Sequence, residues 1–206
     1  MSKRFVSDVD IDFGDRASIL QHLVTTPAAI RTNKQIRRHT SGVYVTDIPY
    51  DPVNDMSALD YNAAEDRGYI KLDFLNVWLY KLVRDEVHLV ELMQEPDWSK
   101  LQDREFFDKL IQIGNSYHYE TFQKLSEPIT SIPRLAMFIS LIRPGKKHLI
   151  GKTWKEIAQT IWERDEEGYS FKKAHSIAYA HLVVVHMNLL TENPDAIQSK
   201  AFVLQE

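Results

Sequence analysis

The sequence predicts an α+β protein in which a small mixed sheet comes first and a mainly helical second half follows. Two runs that alternate polar and apolar residues, at 5–13 and at Tyr69–Leu75, predict strands. A third run, Gly42–Ile48, is rich in β-branched residues and predicts another strand. Beyond Pro96 the apolar residues recur at helical spacing, so we expect helices to fill the rest of the chain.

The remaining elements follow from the same spacing and from the turn residues. We expect residues 15–38 to be mainly helical with a break near Pro27, and residues 49–60 to form a loop. A long helix should follow the strand at Tyr69–Leu75 directly and end at Pro96. The later helices are predicted at 103–113, 133–142, 153–164 and 170–191.

Composition sets limits on the function. The chain has 206 residues, of which 44% are apolar and 26% charged, so it can bury a core and form one or two small domains. The absence of cysteine excludes disulfides and thiolate metal sites and fits a reducing compartment. The first residues do not have the pattern of a signal peptide, and the apolar runs are too short to span a membrane. We therefore expect a cytoplasmic protein that does not contact a membrane.

The charged residues are segregated along the chain, although the net charge is −4. Such segregation can present a positive groove to DNA on a mildly acidic protein, whereas separate solvated helix faces are the alternative. The basic clusters are Arg31, Lys34, Arg37, Arg38 and His39; Arg143, Lys146, Lys147, His148, Lys152 and Lys155; and Lys172, Lys173 and His175.

Aspartates occupy the polar face of two predicted strands. Asp10 and Asp12 share one face of the first strand, and Asp73 lies on the polar face of the Tyr69–Leu75 strand. If these strands pair, three carboxylates come close together and require a cation such as Mg²⁺ between them. This pattern is typical of two-metal phosphoryl-transfer sites. The alternative is a half-exposed acidic strand whose carboxylates are only solvated.

Two other candidate sites fail on spacing. Gly145–Thr153 follows an apolar run as a phosphate-binding loop would, but its second glycine comes one residue late for that motif. His175 and His186 share a helix face about 16 Å apart, with His181 turned away, so the three cannot bind one metal ion.

Segments in order along the chain also share a wider pattern. They are Asp8–Phe13, Arg38–Val45, Gly68–Leu75, Arg143–Gly145 and Gly168–Ala180. Together they resemble motifs of the palm and fingers of the bacterial DNA polymerase III α subunit, the C-family replicative polymerase. Asp8–Phe13 is similar to the family's D-[FI]-D-[IV]-D-F strand. Gly68–Leu75 is similar to its G-L-[VI]-K-[FM]-D-F-L-G strand, except that Asn76 replaces the final glycine.

The resemblance implies roles for individual residues. Asp10, Asp12 and Asp73 would be the catalytic triad and would bind two Mg²⁺ or Mn²⁺ ions. Lys71 would approach the primer end or an incoming phosphate. The other substrate-binding residues would be Tyr169, Lys173, His175 and Arg143, and the DNA-binding residues would be Arg31, Lys34, Arg37, Arg38 and Lys172.

The resemblance also implies an organisation and an activity. Residues 1–95 would form a palm-like region, residues 96–192 a helical fingers-like region, and residues 193–206 a mobile tail. The family's Gly-Ser triphosphate-binding turn and most of its thumb have no counterpart in the sequence. We therefore expect a minimal or partner-dependent nucleotidyltransferase that adds a deoxynucleotide to a DNA 3′-hydroxyl. The alternative is a non-catalytic DNA-binding or replisome-interacting protein on a degenerate polymerase scaffold.

The tail and the family together suggest partners. Gln198–Phe202 resembles the Q-x-x-[LM]-F pentapeptide by which bacterial replication proteins bind the sliding clamp, although an ordinary polar tail has a similar composition. Expected partners are DNA, a deoxynucleoside triphosphate, and a sliding clamp or another polymerase fragment. The setting would be a bacterial cell, and the compact sequence also fits a phage-encoded protein.

Overall fold

A computed structural model describes residues 9–32, 35–163 and 173–194. Contacts within the chain divide it into two compact units, with the division between Val83 and Arg84. The first unit carries the sheet and the second is helical. The two units are described separately below.

The first unit is built on a mixed sheet. Its strands are Val9–Phe13 (β1), Thr26–Arg31 (β2), Ile36–Tyr44 (β3), Tyr50–Asp51 (β4), Met56–Ser57 (β5) and Leu72–Asn76 (β6). Within the described residues β1, β6, β3 and β2 form one sheet in that order, and β4 pairs with β5. β1 runs parallel to β6, while the β6–β3 and β3–β2 pairs are antiparallel. The helices of this unit are Arg16–Leu20 (α1) and Tyr61–Asp66 (α2), with a 3₁₀ turn at Trp78–Leu82.

Alternation along the strands separates an apolar side of the sheet from a polar one. The rings of Phe13 and Phe74 stack with their centroids 5.6 Å apart on the apolar side. A separate small buried cluster consists of Ala28, Tyr44, Ile48 and Ala64, and its Tyr44 leaves the sheet on the same face as Gly42 and Asp73. Asp10, Asp12 and Asp73 consequently face away from the side that carries Phe13 and Phe74.

The second unit packs short helices around one long helix. The helices are Glu86–Leu92 (α3), Arg104–Lys109 (α4), Ser116–Phe122 (α5), Ile132–Leu141 (α6), Trp154–Thr160 (α7) and Lys173–Glu192 (α8). There are also 3₁₀ turns at Trp98–Gln102 and Lys147–Leu149. α8 is apolar around most of its circumference and packs against α6, as expected for the central helix of a bundle. Side chains cap several helices; at α7, Thr153 and Glu156 form a capping box.

The structure confirms the predicted α+β class, with a small mixed sheet and helices mainly in the second half. The prediction that residues 15–38 are mainly helical was wrong, because only Arg16–Leu20 is helical there. Thr26–Arg31 and the start of Ile36–Tyr44 instead form an antiparallel pair. Pro27 fits this arrangement because it lies on the outermost strand, at a shift in the pairing register.

Two other elements also differ from their predictions. The long helix expected after Tyr69–Leu75 is divided into a 3₁₀ turn and α3, because the Asp85 side chain accepts a hydrogen bond from the backbone N–H of His88 and starts a new helix. Residues 49–60 contain the short β4–β5 pair as well as loop. α5 was not predicted at all.

No helix in the described ranges is long and apolar enough to cross a membrane.

Gly114 is held where a side chain has no room. A Cβ at this position would lie 2.4 Å from the carbonyl oxygens of both Asp108 and Leu110. These are backbone atoms that cannot rotate away, so we expect Gly114→Ala to lower the free energy of unfolding by about 3 kcal/mol. Urea denaturation followed by circular dichroism measures this loss.

Gly68 provides a matched control for the glycine substitution. A Cβ at Gly68 would meet no atom within 4 Å, but its φ is +88°. Gly68→Ala should therefore lose only the cost of left-handed backbone, about 1–2 kcal/mol. Equal losses for the two variants would contradict the steric account of Gly114.

Candidate metal-binding site on the sheet

Three aspartates meet on the polar face of the β1–β6 pair. Asp10 lies directly opposite Asp73 in the parallel register. Neighbouring strands are about 4.8 Å apart, and opposed residues point to the same side of the sheet. Asp12 follows Asp10 by two residues and is opposite Leu75, so its side chain leaves the same face. The structure thus brings together the three residues that the sequence predicted as a triad.

The carboxylates of Asp10 and Asp12 repel each other. Burial, with an added contribution from the negative charge of Asp10, raises the pKa of Asp12 above its ordinary value. Burial and the charge of Asp12 also raise the pKa of Tyr80. A raised carboxyl pKa means that the ionised form is poorly stabilised, and a cation bound beside these groups would relieve that cost.

The carboxylate of Asp73, by contrast, is already bound by other groups of the protein. Its Oδ2 accepts a hydrogen bond from the Lys71 ammonium, and its Oδ1 accepts one from the Ser41 hydroxyl at 2.7 Å. His39 Nδ1 lies 3.7 Å from the same carboxylate. The residue is only 7% exposed. Both oxygens of Asp73 therefore have partners from the protein.

Gly42 makes the Lys71–Asp73 ion pair possible. Gly42 is opposite Asp73 in the β3–β6 pair. A Cβ on Gly42 would lie 2.7 Å from Lys71 Cδ and 3.0 Å from Cγ, so the lysine stem occupies the space that a side chain would fill. The Lys71 ammonium also lies 5.9 Å from the centroid of the Tyr61 ring.

His39 holds the backbone of β3 beside the site. Its Nδ1 accepts hydrogen bonds from the backbone N–H groups of Gly42 at 2.9 Å and Ser41 at 3.2 Å. Burial and the charges of Lys71 and Arg16 lower the pKa of His39, against an opposing effect of Asp73. A neutral imidazole is what this role requires, because protonation of Nδ1 would remove the acceptor.

Arg16 connects β3 to the end of β6 beside the site. Its guanidinium donates hydrogen bonds to the carbonyl oxygens of Thr40 and Ser41 on β3. Its backbone N–H donates to Asn76 Oδ1 at 2.7 Å. The side chain of Asn76, the residue that departs from the polymerase pattern, thus fixes the start of α1. Sequence reasoning placed His39 in a basic cluster and in the Arg38–Val45 segment, but it did not predict the contacts that Arg16, His39 and Ser41 make at the site.

The donor set suits Mg²⁺ or Mn²⁺, since these hard cations prefer carboxylate oxygens. A cation would favour the ionised form of Asp12, whereas at Asp73 it would compete with the Lys71 ammonium. In its present arrangement, no group of three or more His, Asp or Glu residues in the described parts of the chain could hold a metal ion. The three aspartates supply the donor type that such a cation prefers, but Asp73 is held in an ion pair with Lys71.

The remaining predicted substrate-binding residues lie in the second unit. Arg143 donates a hydrogen bond to Gln112 Oε1 at 3.2 Å. The Lys173 ammonium is 5.9 Å from the Trp162 ring centroid, and the His175 ring stacks on Tyr179 at 6.4 Å. Two further predicted residues, Tyr169 and Lys172, lie outside the described residues.

The predicted DNA-binding arginines of the first unit lie on the β2–β3 pair. Arg31 is 3.7 Å from an Asp60 oxygen, and Arg38 donates to the Asp55 carboxylate at 2.5 Å. Arg37 is exposed to solvent. Lys34 lies outside the described residues, as does the predicted clamp-binding segment Gln198–Phe202. Two of these arginines therefore have acidic partners already.

Neither a scan against protein-family models nor a search of the curated proteins found a match.

Loss of the aspartate charge should stabilise the protein at Asp12 and destabilise it at Asp73. A carboxyl whose pKa is higher in the folded than in the unfolded state loses folding free energy when it ionises. Asp12→Asn should therefore stabilise the metal-free protein at pH 7, and the gain should vanish as the pH falls below about 4. Asp73→Asn leaves Lys71 without its partner and should cost about 3 kcal/mol.

Chemical denaturation in the presence of a chelator, at pH 7 and at acidic pH, tests both changes. Asp47→Asn, at an exposed aspartate of the same unit, controls for the loss of one negative charge. Destabilisation by Asp12→Asn at pH 7 would show that its carboxylate is favourably bound rather than crowded.

Proposed function

We propose that the first unit is the catalytic centre of a nucleotidyltransferase similar to the DNA polymerase III α subunit. It would transfer a deoxynucleotide to a DNA 3′-hydroxyl, as a minimal enzyme or with a partner. The observation that carries the proposal is the in-register placement of Asp10 and Asp73 on adjacent parallel strands, with Asp12 on the same face.

In this proposal Asp10, Asp12 and Asp73 hold two Mg²⁺ or Mn²⁺ ions. The ions would lower the pKa of the primer 3′-hydroxyl and neutralise the charge of the leaving pyrophosphate. Asp10 and Asp12 supply closely spaced carboxylates, and Asp12 is partly shielded from water. The protein's contribution is to fix these ligands on a sheet rather than on a loop, which limits the reorganisation needed for reaction.

Positive groups beside the aspartates support a phosphate-bearing substrate. Lys71 lies on the carboxylate face, and the charge of Arg16 is close enough to interact with Asp73. Either cation could bind a phosphate oxygen of the triphosphate or of the primer. From the resemblance, Tyr169, Lys173, His175 and Arg143 are proposed to bind the nucleotide.

The proposed macromolecular partner is DNA. Arg37 is exposed on the β2–β3 pair, as are Arg31 and Arg38. Lys34 and Lys172 are proposed to add phosphate contacts. A sliding clamp bound through Gln198–Phe202, or another polymerase fragment, would supply the grip on DNA, in the cytoplasm of a bacterial cell that expresses a bacterial or phage gene.

A different observation supports a second candidate function. Asp73 is nearly buried, and both of its carboxylate oxygens have protein partners. A carboxylate in this state could serve only to join β6 to β3. The chain would then be a non-catalytic DNA-binding or replisome-interacting protein on a polymerase-like scaffold.

Primer extension separates the two functions. With a labelled primer–template at low salt, we expect slow, distributive extension that requires Mg²⁺ or Mn²⁺, and faster extension when a sliding clamp is added. Asp10→Asn, Asp12→Asn and Asp73→Asn should each reduce the rate at least about 100-fold, since a metal ligand contributes several kcal/mol to the transition state. Asp47→Asn is the matched control and should retain the parent rate.

The outcomes discriminate clearly. Extension that survives all three substitutions would contradict the catalytic assignment. Salt-sensitive DNA binding without any extension, with or without the clamp, would favour the non-catalytic function.

A further inference from the structure

We infer that Lys71 is an internal counter-ion that occupies the cation-binding side of Asp73, so that metal binding and release of Lys71 are one coupled event. This inference rests on the proposed metal site and concerns its regulation. In the metal-free protein, the Lys71–Asp73 ion pair would keep a cation away from Asp73. When a cation binds, Lys71 would leave Asp73 and bind another partner.

The hydrogen bonds of Asp73 support a closed resting state. Lys71 engages Oδ2 and Ser41 engages Oδ1, so neither oxygen is left without a protein donor. The two side chains of the ion pair are shielded from water, with 17% of Lys71 and 10% of Asp73 exposed. A cation approaching from Asp10 would reach Asp73 only by replacing the ammonium.

The charge distribution makes this exchange favourable. Lys71 is bound to Asp73, and Asp10 and Asp12 lie on the same face of the neighbouring strand. A divalent ion between the strands would interact with all three carboxylates at once. The lysine is therefore a partial substitute for the ion, and it competes with it through Coulomb attraction to Asp73.

Lys71 can leave without unfolding the sheet. Its stem crosses β3 over Gly42, where no side chain blocks it, and its ammonium already lies within 5.9 Å of the Tyr61 ring. Because Arg16 is also nearby, a released Lys71 would add to a positive region beside the bound cations. The ligand that such a region would bind is a phosphate group of the nucleotide or primer.

Mn²⁺ binding to the full chain tests the coupling without relying on activity. Free Mn²⁺ is measured by electron paramagnetic resonance during titration of the wild type, Lys71→Met and Lys71→Gln. Removing the competing charge should tighten Mn²⁺ binding about tenfold or more, because a neighbouring opposite charge changes the proton affinity of a carboxylate by a similar factor. Lys71→Arg should bind like the wild type.

Control measurements test whether a change in Mn²⁺ affinity comes from the net charge of the protein or from a loss of folding. Lys109→Met removes one exposed positive charge from the second unit and should leave the Mn²⁺ affinity unchanged. Thermal melting monitors the fold of each variant. Lys71→Gln keeps a hydrogen-bond donor for Asp73 and serves if Lys71→Met does not fold. Gly42→Ala, which crowds the lysine stem but keeps its charge, should tighten binding by a smaller factor.

The results separate this inference from the proposed function. If the wild type binds Mn²⁺ and the neutral Lys71 variants bind equally or more weakly, the coupling is wrong while the metal site stands. If the wild type and every folded Lys71 variant fail to bind Mn²⁺, the proposed metal site itself fails and the inference with it. Binding that appears only when Lys71 is neutral would support the inference most strongly.

Discussion

The register between β1 and β6 is the constraint on which the site depends. It places Asp10 opposite Asp73 and keeps Ile11, Phe13 and Phe74 on the other face. A slip of one residue would turn every side chain of β1 to the opposite face and would bury its aspartates among apolar groups. The stacking of Phe13 on Phe74 opposes such a slip. The same packing that stabilises the sheet therefore sets the position of the carboxylates.

The polar face shows an uneven balance of charge. At one end of this face, partial burial and the charge of Asp10 raise the pKa of Asp12. At the other end, Asp73 is held by Lys71 and Ser41, with His39 and Arg16 fixing the backbone of β3 around it. A structural ion pair would need only the second end. A carboxyl with a raised pKa, as at Asp12, is typical of sites that bind a ligand.

The local pattern of polar and apolar residues was sufficient to predict part of this structure. The alternation at residues 5–13 and at Tyr69–Leu75 predicted the strands that the structure has at Val9–Phe13 and Leu72–Asn76, and with them the aspartates that share a face. Alternation says nothing about which strands pair, and Thr26–Arg31 and the start of Ile36–Tyr44, which form a hairpin, were mistaken for helix. The two strands pair with each other, and the hairpin joins the rest of the sheet through Gly42 and Val43, which are opposite Asp73 and Leu72 of β6, far away in sequence. The roles of His39, Ser41 and Arg16 depend on the same distant contacts and were missed for the same reason.

The central claim is that Asp10, Asp12 and Asp73 together form a cation site. Crystals grown with Mn²⁺, measured at the manganese absorption edge, test it most directly because anomalous scattering locates the ion itself. The account predicts anomalous density between β1 and β6 within coordination distance of Asp10 and Asp73, with the Lys71 ammonium displaced from Asp73. Saturating Mn²⁺ with no density there and an unchanged Lys71–Asp73 ion pair would contradict it.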